Sequence, residues 1–249
     1  RQLAEAPPTP FEQPIVVVHG RGVATWLQQY LAEQLGVCAQ IEFLFPGNFV
    51  ARLFGAQALA HGEPMPRLQQ REQWFWAAMA VLDDLAAGES EGSVFAPLHA
   101  YLDRAGATSA GAWQCGLAQR IAAVFDQYAT FRPDWVLDWD RGGDVGPGGK
   151  ALSPNQRWQA ELWRRIVGSD HGHVAAQLQR FGAWRQTDPD GFTKGVRAVV
   201  SERVFLFGLT SLPPSYLRVM ANAAHAVPTG AMLVSPSNQF WTDAPRRRK

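Results

Sequence analysis

The first place in this chain where chemistry could sit is His19-Gly20-Arg21-Gly22. It lies between the β-branched run Ile15-Val16-Val17-Val18 and an apolar repeat at helical spacing. A strand, a glycine-bearing turn and a helix in that order can offer backbone N–H groups and a helix N-terminus to an anion. A nucleotide-binding loop of this kind requires GxxxxGK[ST], with the Lys on the terminal phosphates and the hydroxyl on the metal. Neither that spacing nor a Lys is present, so a turn without nucleotide chemistry is expected. A second strand-like run, Val204-Phe205-Leu206-Phe207, leads into Gly208-Leu209-Thr210-Ser211. An ATPase would end such a strand in acids that hold the metal and position water. Leu and Phe cannot ligate Mg²⁺, and no carboxylate follows.

The remaining constellations are weaker. His171 and His173 flank Gly172 beside Asp170, but zinc needs more ligands than this loop supplies, and a solvated loop is expected. Asp83-Asp84 reads as an exposed helix end. Ser153, Ser211 and Ser215 have no motif that would activate a nucleophile. No catalytic residue, cofactor or metal is expected in this stretch.

Charge and composition narrow the class. The 249 residues carry 23 basic and 22 acidic side chains, a net charge of +1. Any nucleic-acid site must therefore be a local patch rather than a global basic surface. Hydrophobic residues at 47% are enough for a real core. Ten Trp residues are accounted for mainly by aromatic packing between helices. Cys38 and Cys115 lie far apart and outside any CxxC spacing, which argues against a disulfide framework and fits a reducing, cytoplasmic setting. Neither a membrane-spanning run nor a signal peptide is legible. Arg1 at the start and Arg246-Arg247-Arg248-Lys249 at the end suggest a piece of something longer. The basic tail reads either as a solvated segment or as a DNA-contacting arm.

The elements that must position these residues follow from periodicity. Residues 1–14 hold four prolines and read as a leading loop. Val23, Trp26, Leu27, Tyr30, Leu31 and Leu35 mark a helix that ends at Gly36. Residues 37–43 return to strand character, and Asn48 is a candidate cap for the next helix. Helices are expected over 67–87, through Leu117–Tyr128 up to Pro133, and near 153–167 and 173–184. Asp140–Lys150 reads as a flexible glycine-rich loop. Pro213-Pro214 opens a helix, and Ala231–Val234 is a last strand. Strand-rich ends around a helical middle suggest an α/β domain with a parallel sheet, formed by residues 1–66 and 198–249. Residues 67–197 would be a helical insertion forming a separate lobe. The strands 15–18, 38–43, 204–207 and 231–234 should lie in one sheet.

Several stretches together resemble the RecC family, the gamma chain of exodeoxyribonuclease V. They are Ile15–Val18 leading to Gly22-Val23-Ala24-Thr25-Trp26-Leu27, then Ile41-Glu42-Phe43 with Pro46, and Phe125-Asp126-Gln127-Tyr128. Next come Phe131-Arg132-Pro133-Asp134-Trp135, Arg203-Val204-Phe205 with Gly208, Leu212-Pro213-Pro214 with Tyr216-Leu217, and Pro236 through Phe240-Trp241-Thr242-Asp243. The resemblance implies the amino-terminal part of a longer subunit, with a superfamily 1 helicase-like fold that has lost its motor residues. Residues 15–27 would then resemble the helicase segment that touches single-stranded DNA, and 204–217 the region that has lost its acids. It also implies RecB-like and RecD-like partner subunits and a channel for the 3′-ended strand in which a Chi-type sequence is read.

Carried over by position, the strand-contacting residues are His19, Arg21, Thr25, Phe45, Asp126 and Arg132. Arg can hold a phosphate or a base edge, Phe can stack on a base, and Asp can accept from an exocyclic amine. Asp126 and Arg132 have a structural alternative, pairing with each other or capping helices. Where the family can present Gln and Thr in the first loop, this chain has His19 and Arg21, so a different recognition sequence is implied. Two other classes stand beside this one: an AddB-like helicase–nuclease subunit, and an unrelated α/β interaction domain.

Overall fold

Ile15–Val18 form strand β1 because four consecutive β-branched residues suit a strand covered on both faces. All four are fully buried. A computed structural model describes residues 13–66, 71–86, 94–105, 112–168, 172–200 and 203–233. The leading segment 1–12, His171, Asp170, Val234, the Pro236–Asp243 stretch and the basic tail lie outside them.

β1 leads into helix α1 (Arg21–Leu35), which ends at Gly36 as its periodicity requires. Strand β2 is Glu42–Leu44, shorter than the expected 37–43. The chain first passes through Gln40 with φ +63, a backbone incompatible with a strand. Helix α2 (Pro46–His61) follows. Its first residue is Pro46, so Asn48 sits inside the helix rather than capping it. The N-cap position falls to Phe45, which makes no side-chain cap bond.

The middle is helical: α3 (Arg71–Ala86), α4 (Ala96–Ala105), α5 (Ala112–Phe131), α6 (Pro133–Asp140), α7 (Arg157–Val167), α8 (Val174–Thr187) and α9 (Pro189–Val199). Strand β3 (Val204–Phe207), helix α10 (Pro214–Ala223) and strand β4 (Thr229–Met232) complete the described chain. The four strands make one sheet in the order β2-β1-β3-β4, with every neighbouring pair parallel. The expected α/β architecture and the shared sheet are therefore present. β4 begins two residues before the expected Ala231 because its register sets Val204 opposite Thr229.

Alternation along the strands builds two faces. Ile15, Val17 and Val204 point into a core with α2, α8, α9 and α10. Val16, Val18 and Phe205 point to the other face, which α1 covers through Leu27. At about 1.5–3 kcal/mol per buried aliphatic side chain, these strand residues dominate the local energetics. Helices α3 to α7 share a second core built on Trp74, Phe125, Trp139 and Trp163. The expected separate lobe holds only for α3 to α7: α8 and α9 bury Leu178, Phe181, Trp184, Phe192 and Val196 in the sheet's core, because those apolar faces complete the cover of β1 and β3. At Gly195 on α9 an added Cβ would meet the Trp184 ring at 2.6 Å, so the close helix approach requires glycine.

The glycine-rich segment 140–150 is held by internal bonds instead of being open. Val145 N–H donates to Asp138 Oδ2 at 2.9 Å and Trp139 Nε1 to the Val145 carbonyl at 2.8 Å. His173, expected in solvent, is buried. Its Nε2 lies 2.9 Å from Asp140 Oδ2, and its Nδ1 accepts from Ala176 N–H at the start of α8. A short polar loop thus serves as a helix cap, a reason for His that spacing alone does not reveal.

Candidate nucleic-acid interface

In an open parallel sheet, ligands bind outside the carboxyl ends of the strands, where neighbouring strands are followed by connections in opposite directions. Here β1 has β2 on one side and β3 on the other, so that position is the edge where β1, β2 and β3 end. His19 follows β1 directly. Gly20 is extended (φ −169, ψ 164) and is the N-cap of α1, without a side-chain cap bond. The free N–H groups of the first turn thus stand at the sheet edge. His19, Arg21 and Thr25 are exposed. Among the described residues Arg21 has no ion-pair partner.

Phe45 ends the neighbouring strand β2. It is half-buried and packs against the α1-side core, so part of its ring serves the fold. Arg52 on α2 donates to both carboxylate oxygens of Glu42 on β2, one at 2.6 Å. That bidentate pair fixes the turn Phe45-Pro46-Gly47 between them.

Asp126 lies on α5, half-buried, with no hydrogen-bond donor among the described residues. Burial pushes its carboxyl above the usual range, and the Arg71 guanidinium partly opposes that. Arg132 is the N-cap of α6 (φ −132, ψ 51), exposed, and turned between two helices rather than fully extended. Its guanidinium lies 5.6 Å from the Trp135 ring centroid and donates to the Phe131 carbonyl at 3.2 Å. Among the described residues Asp126 and Arg132 form no ion pair with each other, and the Arg132 side chain makes no cap bond to α6; its bond to the Phe131 carbonyl does satisfy the end of α5, so for Arg132 the capping alternative stands in part.

Two further residues join the site that spacing did not single out. Ser215, fully buried at the start of α10, donates from Oγ to the Thr130 carbonyl at 2.6 Å. Thr130 is one turn beyond Asp126 on α5. Ser215 therefore docks the helix that follows β3 onto the α5 face that carries Asp126. Tyr216, the next residue, has its hydroxyl 3.7 Å from the Cβ position of Gly47. Burial and the nearby Asp126 charge push the Tyr216 phenol up. The turn after β2, the helix after β3 and the Asp126 face of α5 thus meet at one place. The segment Leu212-Pro213-Pro214 marked a helix start, but nothing in it disclosed this contact.

Comparison with known proteins identifies the family of the chain. The family model described as RecC, N-terminal domain, matches residues 1–249. The RecBCD enzyme subunit RecC of Haemophilus influenzae is 28% identical over 254 residues, covering 95% of this chain and 22% of that protein. Its counterpart in Escherichia coli is 30% identical over 243 residues, covering 94% of this chain and 20% of the relative. That of Mycolicibacterium smegmatis is 26% identical over 254 residues, covering 96% and 20%. The chain therefore spans about a fifth of the length of these relatives. The match decides against the AddB-like and unrelated-domain alternatives: the chain belongs to the RecC N-terminal domain family.

Proposed function

We propose that this chain is the strand-guiding, non-catalytic amino-terminal part of a RecC-like subunit in a RecBCD-type helicase–nuclease. In that reading it acts in double-strand break repair with RecB-like and RecD-like partners, and it contributes to recognition of a Chi-type sequence. The sheet with residues 1–66 and 198–249 is a helicase-like domain, inactivated because Leu206 and Phe207 stand where metal-binding acids would be. Residues 67–197 are its helical insertion, with α8 and α9 docked on the sheet.

The observation that carries this reading is the set of charged groups at the carboxyl edge and on α5 that are left without ion pairs. Arg21 projects from the first turn of α1, Asp126 is held in the crevice, and Arg132 stands exposed at the end of α5. A half-buried carboxylate at Asp126 without a hydrogen-bond donor among the described residues, together with exposed guanidinium groups at Arg21 and Arg132, suits a ligand with both amines and phosphates, which describes single-stranded DNA. His19, Thr25 and Phe45 add a hydrogen-bonding and stacking rim. Among the described residues no helix is long and apolar enough to cross a membrane.

The test uses the assembled complex, with the full-length subunit carrying Arg21→Ala or His19→Gln. The positions at which cutting is attenuated are mapped on DNA bearing randomised octamers. Loss of a base-reading Arg is expected to cost about 1–3 kcal/mol of discrimination at one position, and loss of a phosphate contact to weaken binding uniformly. With His19 and Arg21 present, the preferred octamer should differ from that of relatives with Gln and Thr there. Unchanged site preference in both variants would remove this loop from the reading role.

A further inference from the structure

We propose that the cavity between α2, the strap of residues 63–66 and α8 takes an extended, uncharged peptide segment of a partner subunit, held by the Gln57 and Gln177 side-chain amides. The proposal rests on the reading above that the chain works inside a multi-subunit assembly, and it names a contact surface for that assembly.

A reversal of the chain builds the cavity. α2 ends at Gly62, whose left-handed backbone (φ +66) lets the Glu63 N–H donate to the Ala58 carbonyl at 2.8 Å. Residues 63–66 then fold back along α2. An added Cβ at Gly55 would meet Met65 Cε at 2.6 Å, so this glycine is the seat of the strap. Between the strap and α8 lies a space of about 450 Å³, lined by Phe54 and Gln57 of α2, Glu63 and Met65 of the strap, and Gln177 and Arg180 of α8. Gln57 is about 16 Å along α2 from the carboxyl edge, so this is a second place on the molecule.

Two amides here are left over by the fold. Gln177 is 8% exposed, and its side-chain amide has no hydrogen-bond partner among the described residues. Gln57 Oε1 is buried and has no donor among them either. Polar groups at this depth are normally paired, and an unpaired one costs stability. Phe54 and Leu178, beside them in sequence, belong to the sheet's core, so an apolar residue at 57 or 177 would serve the fold better.

The lining selects the class of ligand. Glu63 and Arg180 stand exposed on the rim with opposite charges, which gives a polyanion no net attraction. Phe54 is 1% exposed and packs edge-on against Phe181, so it offers no face on which a base could stack. A Gln amide carries the same groups as a peptide bond: it donates to a main-chain carbonyl and accepts from a main-chain N–H. Pro64 and Pro66 have no N–H to donate, so the strap is no template for an added strand and the side-chain amides must supply the bonds. Met65 adds an adaptable apolar wall.

The experiment uses the full-length subunit and its assembled complex. Gln57→Leu and Gln177→Leu keep the bulk and remove the amides. Assembly is measured by titration with the partner subunits, and melting of the free subunit is recorded in parallel. Each variant is expected to weaken assembly three- to tenfold, about the worth of one hydrogen bond. The free subunit should melt at or above the parent's temperature, because an unpaired amide is gone. A photoreactive residue at position 63, on the rim, should crosslink to a partner polypeptide. Unchanged assembly in both variants means that the cavity holds only water and overturns the proposal. Crosslinks from position 63 to DNA alone, or to the subunit's own chain alone, overturn it as well. In each case the strand-guiding reading stands, since it is tested separately at Arg21 and His19.

Discussion

Asp126 illustrates the conflict between folding and function at a single residue. Its pKa is raised chiefly by burial, so the native state binds its proton more tightly than the unfolded chain does. That contribution to stability is fully present below the unfolded pKa and is lost as pH rises through the higher folded value. Asp126→Asn is therefore expected to unfold at a higher temperature than the parent at pH 7. The difference should vanish below about pH 3.5, where both side chains are neutral. Thermal melts across that range check the sign; a variant that is less stable at pH 7 would contradict it. Asp140, in contrast, has hydrogen-bond partners. Its carboxylate accepts from Trp163 Nε1 at 2.8 Å and faces His173 Nε2 at 2.9 Å, with His173 fully buried. Asp140→Ala removes both bonds and is expected to cost about 2–4 kcal/mol in denaturant unfolding. The site role of Asp126 entered through a family motif. The role of Asp140 was not legible, because its partners come from residues 23 and 33 positions away. Sequence spacing around His173 suggested a solvated loop for the same reason.

Among the elements, those ruled by local physics were legible. β1 and β3 are β-branched or aromatic runs, α1 carries its apolar repeat and terminal glycine, and α10 begins with proline. Their bounds match the expected ones closely. β2 and β4 shifted because parallel register with β1 and β3, not composition, decides where pairing starts. Helices α4, α6 and α9 did not stand out: each is 8–11 residues long, and α6 and α9 start at a proline directly after the preceding helix, so they read as its end. The link between α5 and α10 is the element-scale feature that most affects the site. Ser215 Oγ satisfies a carbonyl of the last turn of α5, which lacks an intrahelical partner. Ser215→Ala is expected to cost about 1–2 kcal/mol. In the assembled complex it should also weaken sequence preference while leaving duplex-end binding intact, because it loosens α10 against the α5 face that carries Asp126. A stability loss with unaltered preference would mean that the bond serves the fold alone. Gly195→Ala probes the other close approach. With Trp184 ring atoms at 2.6 and 2.9 Å from the new Cβ, overpacking between α8 and α9 should cost about 1–3 kcal/mol.

At the scale of the whole molecule, a four-stranded parallel sheet carries one helix on one face and four on the other, and a second helical core adjoins it through α5, α8 and α10. This arrangement brings the turn after β2, the start of α10 and the Asp126 face of α5 together, although they lie far apart in the chain. No local pattern predicts that proximity; it follows from the parallel register and the Ser215 contact. The central claim is that the guided strand runs along this edge. The most direct measurement places a photoreactive residue at position 21, 45 or 132 of the full-length subunit, or at Leu59 as a control. Leu59 is exposed and lies about 20 Å along α2 from the edge. Crosslinking is then recorded to the 3′-ended strand in the assembled complex during unwinding. The expected result is crosslinks from 21, 45 and 132 to the 3′-ended strand and none from 59. Crosslinks to the 5′-ended strand alone, or equal yields from position 59, would contradict the claim.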